Sequence, residues 1–287
     1  MPHCRNRVLL TVVGCLLAGT VALGQTMPNP FDVGLGVRAM GFGGASLALA
    51  EGTEALLANP AGLGWSKGAR ADSTLASALG LYSVTWVAGA VPSFAAGVAY
   101  LGVGGITDPE GNPLAFSHLA ATVGAGFDVS GMRIFPFPAA AGAALKFHRV
   151  QIGNASGSGF ALDVGVLGRT NTPLGAVQFA LTLRDLGFGM RVGSTADGWS
   201  LDLGAGAALL MPGGLILAGD LTSEYTALGL GFNLLGLLEV RGGIRFQAGV
   251  QWAFGLGVRW GMFVLDYALL THPVLSASHR FGFGLRF

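Results

Sequence analysis

Charged side chains are scarce in this chain of 287 residues, where Asp, Glu, Lys and Arg together make up 11%. A soluble domain carries about 25% charged residues, so this chain has too little charge to cover a water-exposed globule of its size. Hydrophobic residues reach 52%, and the mean hydropathy is +0.60. The formal net charge is +1 and no basic run is present, which argues against a nucleic-acid partner. We therefore expect much of the surface to contact a lipid bilayer.

Cysteine is confined to the start of the chain, at Cys4 and Cys15. Both lie in a segment, 1–24, that has the features of a cleaved signal peptide: a basic start, an apolar stretch at 8–17 and a small-x-small site at 22–24. The apolar stretch is short for a transmembrane anchor, and too little of it precedes Cys15 for a lipidated cysteine. The mature chain is expected to contain no cysteine, which excludes disulfides, thiol catalysis and thiolate metal sites.

Motifs that carry catalysis are also missing. The five histidines include no pair at the spacing of metal ligands on a helix, so no metal site is expected. No Gly-x-Ser-x-Gly elbow, Walker motif or full dinucleotide fingerprint occurs. A Ser/His/Asp hydrolase triad is the alternative that stays open, because such triads are recognised by geometry. We predict no catalytic residues, no cofactor and no enzymatic activity.

Apolar residues alternate with small or polar ones in several segments, most clearly at 177–184, 238–247, 250–260 and 279–287. Successive side chains of a strand point to opposite faces, so each segment would have one apolar face and one small or polar face. The uncharged run 73–107 is long enough for a spanning helix, but helices would spread the arginines of the alternating segments around their whole circumference. Since only helices and closed barrels span lipid, the alternation predicts an all-β fold, a transmembrane antiparallel β-barrel.

The alternation predicts about fourteen strands, and an even number is usual in single-chain bacterial barrels. They lie near 70–79, 82–91, 94–103, 114–127, 137–149, 158–169, 175–185, 199–210, 214–221, 224–233, 237–246, 249–260, 262–269 and 278–287. Connections after even-numbered strands are mostly tight, whereas several after odd-numbered strands are longer: 104–113, 150–157, 186–198 and 270–277. Short periplasmic turns and longer external loops are the usual asymmetry, so both termini are expected in the periplasm.

Glycine, at 49 residues, falls largely on the predicted inward face, where a narrow barrel leaves little room for side chains. Pro92, Gly102, Gly104 and Gly105 flank the predicted third strand and allow two interpretations. They can kink this strand and open a side exit, or they can belong to a turn and to the start of a loop. An unbroken hydrogen-bond ladder along the third strand would rule out the exit.

Twelve charged residues are predicted to face the barrel interior: Lys146, Asp163, Arg184, Asp202, Asp220, Glu239, Arg241, Arg245, Arg259, Asp266, Arg280 and Arg286. One interpretation is a structural network, in which opposite charges pair with each other and with the N-terminal segment to offset their desolvation. The other is that the arginines of the last four strands bind a carboxylate headgroup through their bidentate guanidinium groups.

The segment 25–68 does not alternate cleanly. A Gly- and Ala-rich stretch at 39–50 is followed by a short helical segment at 54–58 and then by the motif Asn59, Pro60, Ala61, Gly62 and Leu63. Residues this small suit close packing inside a lumen, so we predict a hatch, or plug, within the barrel. The predicted organisation is a signal peptide at 1–24, a hatch at 25–68 and a transmembrane barrel at 69–287.

The run GVRAMGFGGASLALAEGTEALLANPAGL at 36–63 resembles the N-terminal signature of the PorV/PorQ family and, more distantly, of FadL-type long-chain fatty-acid transporters. The segments GFALDVGVLG at 159–168 and VLDYALLTHPVLSASHRFGFGLRF at 264–287 are similar to further parts of that family. The resemblance covers nearly the whole mature chain and implies a hatch inside a fourteen-stranded outer-membrane barrel. The chain departs from the family in its short external loops and its less acidic stretch at 50–54, which leaves loop-dependent activities open.

This resemblance implies two alternative functions. The FadL side implies transport of a hydrophobic small molecule across the bacterial outer membrane, through an apolar cavity with a lateral or periplasmic exit. The PorV side implies a secretion-associated or structural barrel that receives or anchors an exported protein, with a plugged lumen and a partner surface on loops or rim. Outer-membrane lipid surrounds the barrel in both cases. The terminal Phe287 resembles the signal by which barrel-assembly machinery recognises its clients.

Overall fold

The computed structural model describes residues 29–287 except 32, 105, 106, 108–110, 112, 113, 188, 193, 194, 198, 199 and 248. Of residues 195–197 the backbone alone is described. The predicted signal peptide, 1–24, lies outside the described residues and stays a prediction.

Most of the described chain is sheet. The strands are β1 (Arg70–Ala78), β2 (Tyr82–Val91), β3 (Phe94–Val103), β4 (Phe116–Asp128), β5 (Ala139–Ile152), β6 (Ala155–Thr172), β7 (Gly175–Gly187), β8 (Met190–Val192), β9 (Thr195–Asp197), β10 (Asp202–Leu210), β11 (Leu215–Thr222), β12 (Thr226–Leu234), β13 (Leu238–Gln247), β14 (Gly249–Trp260), β15 (Phe263–Leu270) and β16 (Ser278–Arg286). All except β8 and β9 close into one antiparallel barrel of fourteen strands, in which β7 pairs with β10 and β1 pairs with β16. The predicted all-β barrel and its strand count are confirmed.

The two faces of the barrel differ in the way that the alternation requires. In β14 the side chains at even positions are apolar and exposed, for example those of Trp252 (53%) and Phe254 (56%). The side chains at odd positions, for example those of Gln251 and Ala253, are buried. The other strands show the same arrangement, so a continuous band of exposed Leu, Val and Phe surrounds the barrel. A band this large is far beyond the apolar patches of soluble monomers, and it suits contact with hydrocarbon. Among the described residues, no helix has the length and apolar character needed to cross a membrane.

The barrel has two ends. We call the end where β1 begins and β16 ends the terminal rim, and the other end the opposite rim. The terminal rim has tight turns such as 92–93 and 173–174, but it also carries the long connection 129–138 between β4 and β5. The long loop predicted at 150–157 is wrong, because β5 and β6 are joined there by a two-residue turn, Gly153 and Asn154. The Gly and Ser residues that begin β6 carry no apolar signal, so the sequence alternation starts too late. The expected asymmetry of loop lengths therefore holds only in part.

The third strand is continuous. β3 pairs residue by residue with β2 from Phe94 to Gly102 and with β4 from Phe94 to Val103, without a bulge on either side. The interpretation of Pro92 and the nearby glycines as a kink that opens a side exit is wrong for this structure, since the ladder leaves no gap. Pro92 lies in the turn between β2 and β3 instead, Gly104 follows the end of β3, and Gly105 lies outside the described residues.

The opposite rim is partly covered by the chain itself. Residues 186–198 were expected to form an external loop, but β8 and β9 pair as a short hairpin within this segment, and β8 packs against β6 and β5. Met190 and Val192 are buried, and the carbonyl oxygen of Arg191 lies 2.1 Å from where a Cβ on Gly157 would be. A side chain on the inward face of β6 would therefore displace the hairpin.

Candidate functional site

The lumen is filled by the hatch, whose described part runs from residue 29 to residue 68 without residue 32. The short helix α1 (Val37–Gly41) packs against β13 to β16, and a 3₁₀ helix, Pro60–Trp65, packs against β4 to β6. Large apolar side chains of the hatch are completely buried, among them Phe42, Leu47, Leu56 and Leu63. The lumen is thus a packed core in which the hatch is the central layer.

Glycines of the barrel wall let the hatch backbone approach closely. A Cβ on Gly142 would lie 2.4 Å from the carbonyl carbon of Pro60, and one on Gly243 would lie 2.4 Å from that of Phe42. Real Cβ atoms do not approach backbone at such distances, so these wall positions have room only for glycine while the hatch is seated.

A Gly243→Ala variant should dislodge this part of the hatch. The added methyl group meets backbone atoms of Phe42 and Gly43, and overpacking of this kind costs about 1–3 kcal/mol. Limited proteolysis of the purified barrel should cleave the hatch faster than in the wild type. Gly242→Ala is the matched control, because a Cβ there meets only one atom, the carbonyl oxygen of Ala253 at 4.0 Å. Equal cleavage rates in both variants would show that the hatch is not seated against β13.

Polar side chains of the wall hold the hatch backbone. Asp220 on β11 accepts hydrogen bonds from the backbone N–H groups of Ser46 and Leu47, at 2.7 and 2.9 Å. Arg280 on β16 donates to the carbonyl oxygen of Gly34 at 2.7 Å and also to that of Val33. These contacts satisfy backbone N–H and C=O groups of the hatch that have no partner within a helix or a sheet. They attach the hatch to two separate parts of the wall, β11 and β16.

Glu239 on β13 is the centre of an ion-pair network. Its carboxylate oxygens lie 3.1 Å from the guanidinium of Arg38 in α1 and 3.2 Å from those of Arg241 and Arg259. Arg241 also pairs with Asp266 at 2.7 Å. Glu239 is 2% exposed, so this carboxylate holds three guanidinium groups away from bulk water. Arg38 is the one member that belongs to the hatch.

A second ion-pair group lies across the lumen. Lys146 on β5 contacts Asp163 and Asp185, both at 2.8 Å. Arg184 pairs with Asp202 and donates a hydrogen bond to the carbonyl oxygen of Leu57 in the hatch. Lys146 also lies over the ring of Phe31 in the hatch, with 5.0 Å from its Nζ to the ring centre. Both groups of ion pairs therefore combine charges of the wall and contact the hatch.

The motif at 59–63 forms the turn that leads the hatch toward the terminal rim. The Asn59 side chain accepts the N–H of Ala61 at 3.1 Å and caps the 3₁₀ helix, while Pro60 occupies its first position. The Asn59 amide also donates to the carbonyl oxygens of Leu47 and Val166, at 3.4 and 3.3 Å. Ala61, Gly62 and Leu63 are buried beneath the wall. One amide thus links two parts of the hatch and the barrel.

The twelve predicted interior charges all lie on the inward side of the wall, but the arginines of the last strands do not form one cluster. Arg241 and Arg259 join Glu239, and Arg280 binds the hatch backbone. Arg245 stacks on the ring of Tyr225 with 3.9 Å between its Cζ and the ring centre, and Arg286 lies at the terminal rim. No single headgroup can contact all of them.

Several residues of the network were not predicted from the sequence. Asp185 was not among the predicted interior charges, since continuing the alternation of 177–184 would put it on the lipid face, but a bulge in β7 opposite Asp163, with φ of +59° at Asp185, turns its carboxylate inward. Arg38 and the Thr53–Asp72 hydrogen bond were missed because the hatch has no periodic pattern. A buried pair, His118 and His148 with 3.0 Å between ring nitrogens, was missed because the two lie on different strands. For Asp185 the sequence did contain a signal, because a carboxylate on a face that the alternation assigns to lipid is unfavourable and indicates a break in the pattern.

Several cavities flank the hatch, and two of them bear on function. The one toward the opposite rim has a volume of about 60 Å³ and is lined by Lys146, Arg184, Tyr225 and Glu54 among others. Burial raises the pKa of the Glu54 carboxyl, against the opposing effects of Arg70 and Arg38. The second cavity, the terminal vestibule, has a volume of about 440 Å³ and lies between the hatch and the terminal rim. The smaller cavity is below the ~300 Å³ of typical ligand pockets, while the vestibule is within their range.

In the part of the chain that the structure describes, no group of three or more His, Cys, Asp or Glu residues is arranged to hold a metal ion.

Comparison with known proteins gives structural matches only. No protein-family model matches the sequence, and no curated protein is similar to it. Among solved structures, the CymD monoaromatic hydrocarbon channel matches with a TM-score of 0.66 at 12% identity, over 89% of this chain and 98% of that one. The toluene transporter TodX of Pseudomonas putida matches with a TM-score of 0.58 at 12% identity, over 86% and 95% of the two chains.

These matches show a shared fold. The span from the start of β1 to the end of β16, residues 70–286, is about three quarters of the chain, so a match over 89% of it extends into the segment before β1. The fourteen-stranded barrel that the resemblance implied is confirmed. The PorV/PorQ part of that resemblance has no family match to support it and stays a prediction.

Proposed function

We propose that this chain is a bacterial outer-membrane channel for a hydrophobic small molecule, closed by its hatch. The observation that carries the proposal is the seating of the hatch. It fills the bore of a closed barrel, and in addition to the packing of its buried apolar side chains it is held to the wall by hydrogen bonds and ion pairs, such as those of Asp220, Arg280 and Glu239.

This kind of attachment suits a movable element. A neutral hydrogen bond within a protein stabilises by only about 0.5–1.5 kcal/mol net, because water can replace either partner. Displacing the whole hatch would expose large buried side chains such as Phe42, Leu47 and Leu56, which apolar packing opposes. We therefore expect opening by a local shift of the hatch, in which a few of these polar contacts break at moderate cost once a ligand or water enters.

The similar structures support the choice of cargo. They are named as a monoaromatic hydrocarbon channel and a toluene transporter, and the chain matches nearly their full length. Native mass spectrometry of the purified barrel tests the proposal, since a co-purifying apolar small molecule is the expected result. A stoichiometric protein partner without any such molecule would contradict it.

Loosening the hatch should open the channel. Asp220→Ala leaves the buried N–H groups of Ser46 and Leu47 without an acceptor, which costs the closed state about 1–3 kcal/mol. Ion conductance across a planar bilayer should therefore rise about tenfold or more over that of the wild type. Asp128→Ala is the control, because that carboxylate is exposed at the end of β4 and should leave conductance unchanged. An unchanged conductance in Asp220→Ala would mean that the hatch does not gate the bore.

A second candidate is a closed barrel that anchors or receives an exported protein. The observation in its favour is that the cavity toward the opposite rim is small and partly polar, so the closed bore offers no apolar binding space on that side among the described residues. In this case the same mass-spectrometric experiment would detect the protein partner.

The location in the membrane belongs to the same proposal. The outer surface is apolar, and the terminal rim, which is proposed to face the periplasm with both termini, has mostly tight turns. Phe287 is 70% exposed and its N–H donates to the carbonyl oxygen of Ala69, which places it beside the first strand. Its recognition by barrel-assembly machinery is proposed on the sequence resemblance alone.

A further inference from the structure

The connection 129–138, which joins β4 to β5 at the terminal rim, is apolar although it lies outside the strands. Met132 and Ile134 are 68% and 66% exposed, and Phe135 is 37% exposed. Arg133 is the one charged residue of the connection. Exposed apolar side chains grouped in this way mark a surface that contacts a membrane or another protein.

Hydrogen bonds at the base of the connection fix its conformation. The carboxylate of Asp128 accepts the N–H of Ser130 at 2.8 Å, and the hydroxyl of Ser130 accepts the N–H of Ala139 at 3.0 Å. The 3₁₀ turn Ser130–Met132 ends at Arg133, whose φ of +55° lies in the left-handed region and reverses the chain. The apolar side chains that follow are therefore held in one arrangement relative to the rim.

The end of the connection lies on the outer face of the barrel. The ring of Phe137 contacts the ring of Phe179 on β7 edge to face, with 4.6 Å between their centres. Phe179 points outward, because its neighbour Ala180 is buried and its neighbour Gln178 lines the vestibule. A Cβ on Gly168 of β6 would lie 2.1 Å from the ring of Phe179 and 2.8 Å from that of Phe137. This glycine thus leaves the space in which both rings lie against the wall.

This position favours lipid over a protein as the partner of the connection. Phe135 stacks on Phe137 with 5.6 Å between ring centres, so the apolar outer face of β7 continues into the connection. Leu174, in the turn between β6 and β7 at the same rim, is 64% exposed and carries a further apolar side chain there. Apolar side chains that continue a lipid-facing wall, together with a cation, suit the boundary between acyl chains and head groups. An arginine there lays its aliphatic stem along the apolar surface and extends its guanidinium to the phosphates.

We propose that the connection 129–138 is a membrane-interface anchor, in which Met132, Ile134 and Phe135 enter the leaflet at the terminal rim and Arg133 binds the phosphate of an anionic phospholipid. The anchor lies outside the lumen, so it involves neither the hatch nor the cargo. It rests on the membrane location that is part of the proposed function. It goes beyond that location because it assigns a lipid site to a segment outside the spanning strands.

Fluorescence quenching in vesicles tests the anchor. In the full-length protein with Cys4→Ser and Cys15→Ser, the variant Ile134→Cys carries a single nitrobenzoxadiazole group. Bromine on the acyl chains of the phosphatidylcholine should lower its emission at least about threefold, because the anchor holds the fluorophore at the edge of the hydrocarbon. Iodide, which stays in water, should quench the same group severalfold less than it quenches the free dye.

Two further labelled positions serve as references. Phe254→Cys lies on the outer face of β14, so brominated lipid should quench a label there in any membrane-spanning barrel. Val274→Cys is the matched control, because Val274 is also apolar and is 86% exposed in a connection at the opposite rim. Within the described residues, no aromatic contact holds that connection against the outer face. Its label should respond to iodide and not to brominated lipid.

The lipid preference of the label at position 134 tests the role of Arg133. Bromine is placed either on a minor fraction of phosphatidylglycerol or on an equal fraction of phosphatidylcholine. The anionic lipid should be enriched about fivefold around the label, which is the effect of one cation near an anionic surface. Arg133→Gln should abolish this preference. Arg149→Gln, which removes an exposed arginine of β5 near the opposite rim, should retain it.

The outcomes separate the anchor from the membrane location. If the label at Phe254→Cys is quenched by brominated lipid while that at Ile134→Cys is open to iodide, the connection lies in water, as docking to a soluble protein requires, and the anchor is wrong. Quenching of Val274→Cys by brominated lipid to the same extent would also overturn it, because any exposed apolar residue of a rim would then enter the lipid. Equal enrichment of the two lipids with Arg133 present would contradict the phosphate contact. If neither Phe254→Cys nor Ile134→Cys is quenched by brominated lipid, the membrane location itself fails.

Discussion

A Phe254→Arg variant should fold about 2–4 kcal/mol less stably than the wild type in a phospholipid bilayer. Phe254 lies at the middle of β14 with 56% of its surface exposed, on the outer face of the barrel. A guanidinium at this depth must sit in hydrocarbon or distort the bilayer, and either carries a large free-energy cost. A urea titration of the barrel in vesicles, followed by tryptophan fluorescence, measures the loss as a lower unfolding midpoint.

The control for this prediction lies on the same face of the same strand. Val250 is 47% exposed and stands one residue from the start of β14, at the opposite rim. Val250→Arg should cost only about 0–1 kcal/mol, because its charge reaches the membrane interface. Similar losses in the two variants would mean that the outer face of β14 is not arranged across the thickness of a bilayer.

Glu239→Ala should cost about 3–5 kcal/mol of unfolding free energy. The substitution leaves three guanidinium groups, those of Arg38, Arg241 and Arg259, in the lumen without the carboxylate that they share. An unpaired charge in a buried position is more costly than the pair was stabilising, since its desolvation is no longer offset. The same urea titration measures the effect, and proteolysis of the hatch should accelerate because Arg38 loses its main contact.

An acid outside the network provides the comparison. Asp128 is exposed at the terminal rim, where its carboxylate accepts the N–H of Ser130 at 2.8 Å. Asp128→Ala should change the unfolding free energy by about 0.5–1.5 kcal/mol, which is the net value of one hydrogen bond. If Glu239→Ala is no more destabilising than this, the arginines have other partners and the hatch is not held by the network.

The barrel could be predicted from the sequence because its strands follow one local rule. In β14 every even position from 250 to 260 is apolar, and in β16 Arg280 alternates with Phe281 and Phe283. Lipid enforces this period of two on the outer face, so strand positions and their number follow from the pattern without knowledge of the tertiary structure.

Features that break the rule could not be predicted. The bulge in β7 places Asp185 in the lumen beside Lys146, although strict alternation assigns it to lipid. The hairpin of β8 and β9 depends on the packing of Met190 and Val192 against a distant strand, and no short-range pattern signals it. The predicted start of a strand was also wrong where Gly and Ser replace apolar residues. β6 begins at residue 155, whereas the alternation predicted a start at 158.

The hatch was foreseen only as a segment of small residues with a recognisable motif. The sequence does not say which wall groups contact it, because these contacts, such as Asp220 with Leu47 or Arg280 with Gly34, join residues far apart in the chain. The terminal vestibule has the same origin. Its cationic residues Lys67, Arg169 and Arg286 come from the segment before β1, from β6 and from β16, and only barrel closure brings them to the lining of one cavity.

A labelling scan of β14 tests most directly whether alternate residues face lipid and lumen. The sequence has no cysteine after Cys15, so single cysteines placed at each position from 250 to 260 can carry a nitroxide without interference. In bilayers, collision with molecular oxygen, which concentrates in hydrocarbon, should be high at even positions and low at odd ones, with a period of two residues. Collision rates with a period near 3.6, or equal rates at neighbouring positions, would contradict a membrane-spanning barrel.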